Sequence, residues 1–210
     1  MTVVHRIWFG PEPMRDELVH FGRLWETLGY DVELWTEQNL PTLQNQAIFD
    51  DLADKPMPPS GQPERIARYV QQADIVAYEL VHQFGGIVAN CDMEPLRPLD
   101  LVAGVPAWAA FEVDGEHVCN AIVGADRPGH PFWQACIDSI AERWPHERFE
   151  PMERVTGPGL ITPLWQQRPG ELTVFRSAQF YPFGFGEMHR EWEHFPHAYT
   201  RHHWGHTRGR

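Results

Sequence analysis

The chain has 210 residues, enough for one domain with a substantial core, and carries 29 acidic against 17 basic residues for a net charge of -12. That balance argues against a protein that grips nucleic acid through its phosphates, although Arg201, Arg208 and Arg210 gather near the end, and it fits small-molecule or protein partners. Cys91, Cys119 and Cys136 are odd in number and far apart, no run approaches the ~20 apolar residues of a membrane span, and no leader-like pattern opens the chain; the expectation is a cytoplasmic protein without disulfides.

Residues 3–9, VVHRIWF, read as a first strand closed by Gly10-Pro11. Met14, Leu18, Phe21, Leu24, Trp25 and Leu28 then recur at helical spacing, with Gly29 as a C-terminal cap. Tyr30, Val32 and Leu34 alternate in a second strand, so the chain opens with a βαβ unit and a parallel sheet. Residues 38–62 are rich in Pro, with a short possible helix over 44–52, and read as a flexible excursion over 41–62. The longest helical pattern follows over 63–84 and ends at Gly85-Gly86. Asp74 lies on or beside its apolar face, where a carboxylate must be paired, solvated at an edge, or aimed into a cavity.

Residues 87–89 form a third strand, and an extended continuation would put Asn90, Asp92 and Glu94 on one face. In open α/β sheets ligands bind beyond the carboxyl ends of strands, so these oxygens are candidate cation or ligand contacts. Residues 108–112 and 118–124 read as strands joined at the Asp114-Gly115 turn, with the polar residues Glu112 and Asn120 in or ending them. A helix over 131–144, a tight RVTGPG loop over 154–159 leading into another helix, and short strands over 172–175 and 179–181 complete the pattern, with 183–186 as loop. The tail is rich in histidine: His189, His194, His197, His202, His203 and His206.

Three readings of these histidines stand side by side. Asp92 and a tail histidine can hold Mn2+ or Mg2+ against a diphosphate. The histidines can form a zinc site of a hydrolase, although no H-E-x-x-H pair is present. They can also be a polar tail. Neither of the common glycine-rich phosphate cradles occurs, so a bound nucleotide would depend on a metal and on scattered contacts.

The chain resembles the family-32 glycosyltransferases, the sugar transferases related to yeast initiating mannosyltransferases and to the catalytic domains of large clostridial toxins. The matching segments are HRIWFG at 5–10, LGYDVELWTE at 28–37, ADIVAYELVHQFGGIVANCDMEPLRPLD at 73–100, NAIVGADRPGHPF at 120–132, TGPGLIT at 156–162, FYP at 180–182 and AYTRHHWGHT at 198–207. The resemblance implies an α/β GT-A fold with a mostly parallel sheet in one domain over 1–210, whose segment 187–210 closes over the donor site. It implies a metal-dependent (Mn2+ or Mg2+) retaining transferase of hexosyl type. The donor would be a UDP- or GDP-sugar and the acceptor a hydroxyl on a glycan, protein or small molecule. Trp8 would stack on the donor base, and Asp74, Asn90 and Gly157 would line the donor pocket. Asp92 and His202 would hold the metal, with His203 and His206 as neighbouring candidates, and Arg208 would reach the diphosphate. Asp92, Asn120 and Glu112 are the candidate catalytic residues.

Two positions depart from the family pattern. Asn90 replaces the first aspartate of the DxD segment and brings no charge to a metal, and Ala77 replaces an arginine, for which Arg68 is a possible substitute. They define an alternative in a different class, a nucleotide-sugar or glycan-binding protein with weakened catalysis.

Overall fold

The structure, a computed structural model, describes residues 2–54 and 64–205. Strand β1 (Val3–Ile7), helix α1 (Asp16–Thr27) and strand β2 (Asp31–Trp35) form the expected βαβ unit, and β1 and β2 pair in parallel. Asp16 and Glu17 stand in the first turn of α1, where the helix dipole favours acids. Helix α2 (Gln46–Asp54) follows and brings Phe49 and Leu52 into the core, so this part of the Pro-rich excursion is ordered; residues 55–62 lie outside the described residues.

Helix α3 (Glu64–Phe84) stops at two glycines with left-handed backbone, Gly85 (φ 68) and Gly86 (φ 77). The second glycine opens β3 (Gly86–Ala89), which joins the other side of β1 in parallel. A Cβ on Gly86 would stand 2.6 Å from the Val3 carbonyl oxygen, so this seam is too close for any side chain. The strand does not continue extended past Ala89. Met93 N–H donates to the Asn90 carbonyl at 2.9 Å, closing a turn before β4 (Met93–Pro95). This corrects the expected shared face of Asn90, Asp92 and Glu94, because a turn breaks the two-residue side-chain period on which it depended.

Strands β5 (Ala107–Val113) and β6 (His117–Ala125) form the predicted antiparallel hairpin, and β6 pairs antiparallel with β3. Helix α4 (Pro131–Glu147) starts with Pro131 and with the Phe132 N–H donating to His130 Nδ1. Short α5 (Met152–Val155) and longer α6 (Pro158–Gln167) flank the Thr156-Gly157 step. Strand β7 (Thr173–Phe175) adds to β5 in parallel, helix α7 (Ser177–Phe180) takes the place of the strand expected at 179–181, and a 3-10 turn spans Phe185–Arg190 where a loop was expected over 183–186. Strand β8 (Thr200–His202) returns to pair with β4. At 179–181 three residues carry too little periodicity to separate a strand from a helical turn.

The central sheet has the order β2-β1-β3-β6-β5-β7, with the β4–β8 ribbon apart from it. Strand alternation splits the core between its two faces. His5, Val88, Ala109 and Val123 face α3, α4 and α6, whereas Val4, Ile87, Trp108 and Ile122 face Trp25 and the C-terminal aromatics Phe180, Phe183 and Trp204. Helices therefore cover both faces of a mostly parallel sheet, as the resemblance implied.

Candidate active site

A cleft of about 330 Å3 opens at the carboxyl ends of β1 and β3, the two parallel strands at the middle of the sheet. Trp8 and the loop after it form one wall, Tyr69 and Asp74 of α3 another, and Asn90 and Asp92 the end. The Trp8 indole N–H donates to the Glu12 carbonyl at 2.9 Å, which fixes the ring's orientation. Arg15, just ahead of α1, supplies a cation to the rim, with its side chain 40 % exposed and only a loose 3.8 Å ion pair to Glu17.

Asp92 is held from several directions. His202 Nε2 meets its Oδ1 at 3.1 Å, the Gly205 N–H donates to its Oδ2 at 2.7 Å, and the His203 N–H donates to its carbonyl at 3.0 Å. Trp204 between them has a left-handed φ of 52, a costly conformation for a large side chain, and this turn is what brings Gly205 back to the carboxylate. Glu94 points elsewhere: Arg201 Nε and Nη2 donate to its Oε2 at 2.8 and 2.6 Å, and His203 Nε2 lies 2.7 Å from the same oxygen. Burial works to raise the Glu94 pKa, but the combined pull of His203 and Arg201 prevails and holds it below the usual carboxylate range. Glu94 thus fastens β8 to β4 beside the cleft.

Asp74 is a second node. The Asn120 amide donates to its Oδ1 at 2.7 Å and the Thr156 hydroxyl to its Oδ2 at 2.9 Å. Asn120 reaches it because the β5–β6 register shifts between Ala109 and Ala110, where the opposing partner jumps from Val123 to Cys119. Burial pushes the Asp74 carboxyl up from 3.8 to about 7, against the opposing pull of the Thr156 and Asn120 donors. Asn120 and Thr156 hold Asp74 from behind and do not line the cleft. Glu112, near the end of β5, does not line it either; burial raises its pKa, with His202 and His117 opposing.

Asp92 and His202 are the pair that would offer ligands to a cation, with the His202 ring buried and not on the cleft wall. Adjacent ligands of an octahedral ion at roughly 2.1 Å lie ~3 Å apart, and Asp92 Oδ1 and His202 Nε2 are separated by 3.1 Å. Among the described residues no group of three or more His, Cys, Asp or Glu is arranged to hold an ion, so phosphate and water oxygens would complete the shell. His202 and His203 serve different carboxylates, whereas His189, His194 and His197 are exposed. His206 and Arg208 lie outside the described residues.

Of the predicted site residues, Trp8, Asp74, Asn90 and Asp92 meet around one cleft. Gly157 is not on its wall; a Cβ there would stand 3.0 Å from Glu153 Cα, so this glycine permits α5 and α6 to pack closely, and its neighbour Thr156 makes the contact to Asp74. Ala77 is 4 % exposed in the core, and Arg68 is not on the cleft wall. Sequence reasoning passed over Arg15 and Arg6, and took Thr156 only as the start of the TGPGLIT segment. Arg6 is buried under the site, and its Nη2 donates to the carbonyls of Leu18 and Cys91 at 2.7 Å each. A charged residue inside an otherwise apolar strand was the available signal for Arg6.

No protein-family model matches the chain, and no curated protein matches it. Solved structures do. One described as a PaToxG glycosyltransferase superposes with a TM-score of 0.65 at 12 % identity, covering 80 % of this chain and 70 % of its own. A second, a glycosyltransferase involved in glycosylation of the major capsid of PBCV-1, superposes with a TM-score of 0.51 at 10 % identity, covering 96 % of this chain and 94 % of its own. At such identities the likeness is one of fold: this chain has a fold shared with glycosyltransferases.

Proposed function

We propose that the chain is a metal-dependent retaining glycosyltransferase that moves a hexosyl group from a nucleotide sugar to a hydroxyl acceptor. The observation that carries this reading is the convergence on one cleft of Trp8, Asp74, Asn90 and Asp92, residues far apart in the chain, in a fold shared with glycosyltransferases. An indole with a fixed orientation suits a nucleobase, and a carboxylate held from behind by two donors keeps lone pairs for ribose or sugar hydroxyls. Asn90 reads a further hydroxyl. Asp92 and His202 would hold Mn2+ or Mg2+, which when bound supplies positive charge to the departing diphosphate. Arg15 supplies a second cation at that end of the cleft. On this reading the C-terminal segment would border the site through β8, His202 and Gly205.

Purified protein with Mn2+ and a panel of UDP- and GDP-sugars tests the reading. Slow release of free sugar from at least one donor, abolished by chelator and by Asp92→Ala, is the expected outcome. Neither binding nor hydrolysis of any donor would sink it. Binding without turnover, unaffected by Asp92→Ala, would favour the second reading, a nucleotide-sugar-binding protein, for which Asn90 is the motivating departure.

A further inference from the structure

A second, smaller pocket of about 80 Å3 meets the cleft at Asp92, with Arg15, Leu18 and Gly205 lining both. Its other walls are Glu17, Glu191, Trp192 and His203. We propose that this pocket is the acceptor subsite and that its ligand is a neutral sugar stacked on Trp192; the proposal rests on the glycosyltransferase reading above.

Trp192 carries the inference. It is 81 % exposed, more than any other large hydrophobic residue described. Leaving an indole in water forgoes the stabilisation of burying its apolar area, and here it stands at the rim of a polar pocket. The surrounding chain is not loose. Arg201 Nη1 donates to the Glu191 carbonyl, and Arg190 joins Glu187 and Glu193 at 2.9 and 3.1 Å. The opposite wall is rigid as well, because His203 is engaged with Glu94 and its ring stacks on Phe21 at a centroid distance of 4.8 Å.

The wall chemistry selects the ligand. The lining holds three acidic residues, Glu17, Glu191 and Asp92, against one arginine, Arg15, which itself pairs with Glu17 at 3.8 Å, and ionised carboxylates only accept hydrogen bonds. This acidic excess favours a ligand rich in hydroxyl donors over one carrying phosphate or carboxylate. The indole asks for a flat C–H face. A pyranose ring offers both, whereas a serine or threonine peptide offers a hydroxyl without the face. Since Asp92 and Gly205 are common to both spaces, a hydroxyl in the small pocket lies beside the diphosphate end of the donor cleft. In the transfer that oxygen bonds to the anomeric carbon as the bond from that carbon to the diphosphate oxygen breaks. Its proton passes to the departing diphosphate, and no redox partner is needed.

Saturation-transfer NMR on the whole chain tests this. The probes are the methyl glycosides of glucose, galactose, mannose and N-acetylglucosamine, glucose 6-phosphate as the charged counterpart, and a Ser/Thr peptide. We expect at least one neutral glycoside to bind the wild type. Trp192→Ala should weaken that binding by about tenfold or more, Trp192→Phe should retain most of it, and glucose 6-phosphate should bind less well than the neutral sugar. Trp192 is a surface residue, so thermal melts of the variants confirm that they fold. The subsite is overturned if no glycoside binds, if Trp192→Ala binds equally well, or if the phosphate or the peptide binds better. UDP and GDP binding is measured on the same wild-type samples. Nucleotide binding without glycoside binding rejects the subsite alone; absence of nucleotide binding rejects the donor reading and the subsite with it.

Discussion

Asp74 shows how one residue's surroundings make a prediction with a definite sign. Its pKa of about 7 in the folded protein lies above the 3.8 of a free carboxyl, chiefly through burial. Between those values the folded chain holds a proton that the unfolded chain has lost, so this group's contribution to stability falls as pH rises through the window. Asp74→Asn should flatten that fall between about pH 4 and about pH 7 in denaturant titrations. Below about pH 4 it should also be less stable than wild type, because Asn120 and Thr156 are both donors and an amide offers them only one acceptor oxygen, whereas at higher pH the ionisation penalty it removes offsets that loss. An unchanged slope would rule out the raised pKa. If Asp74 accepts a donor hydroxyl as an ionised group, nucleotide-sugar affinity should climb as pH passes about 7.

Two arginines divide binding from stability. Arg15→Gln should weaken UDP or GDP binding by about tenfold or more, the worth of a charge-assisted contact, with little change in melting temperature because the side chain is 40 % exposed. Arg6→Met should do the reverse first. It strips a donor from two buried carbonyls, Leu18 and Cys91, and should cost several kcal/mol at about 1–3 kcal/mol for each unsatisfied group, measured by chemical denaturation.

At the scale of elements, the seam between β1 and β3 leads to the cleft, and Gly86 permits the close approach of the two strands at its amino end. Gly86→Ala would place a methyl 2.6 Å from the Val3 carbonyl oxygen at a φ of 77. Left-handed backbone alone costs roughly 1–2 kcal/mol for a residue with a Cβ, and the backbone contact adds to it. A fall of several degrees in melting temperature, accompanied by weaker donor binding, is expected; lost stability with intact binding would show that the seam does not set the cleft. The periodic elements near it were legible in the sequence: the βαβ unit, α3 and the β5–β6 hairpin each have a clear repeat and a glycine stop. The turn at residues 90–92 was not, because a polar-apolar alternation over five residues looks the same whether the chain stays extended or folds back. The register shift that frees Asn120 was equally invisible, since it depends on which β6 residue faces each β5 residue.

At the scale of the whole molecule, the C-terminal β8 closes on β4 through Glu94, Arg201 and His203, and the same return delivers His202 and Gly205 to Asp92. Glu94→Ala removes the carboxylate shared by Arg201 and His203. It should increase proteolytic cleavage near residues 200–205 and weaken donor binding together, as read by limited proteolysis and nucleotide titration. Loss of the clasp with unchanged donor binding would separate the segment from the site.

The sequence by itself determined the layered α/β architecture and which residue types would carry chemistry. Periodicity, glycine stops and buried polar residues are local features, and the matching segments together pointed to a glycosyltransferase fold. Only the tertiary structure decided which of those residues meet. It placed Thr156 and Asn120 behind Asp74, Glu94 in a clasp, Arg15 at the rim and Ala77 in the core. The physical reason is that these contacts span 46 residues between Asp74 and Asn120 and 110 between Asp92 and His202. At such separations the partner of a polar group is chosen by how the layers pack and by the need to satisfy buried donors and acceptors, neither of which leaves a mark on neighbouring residues.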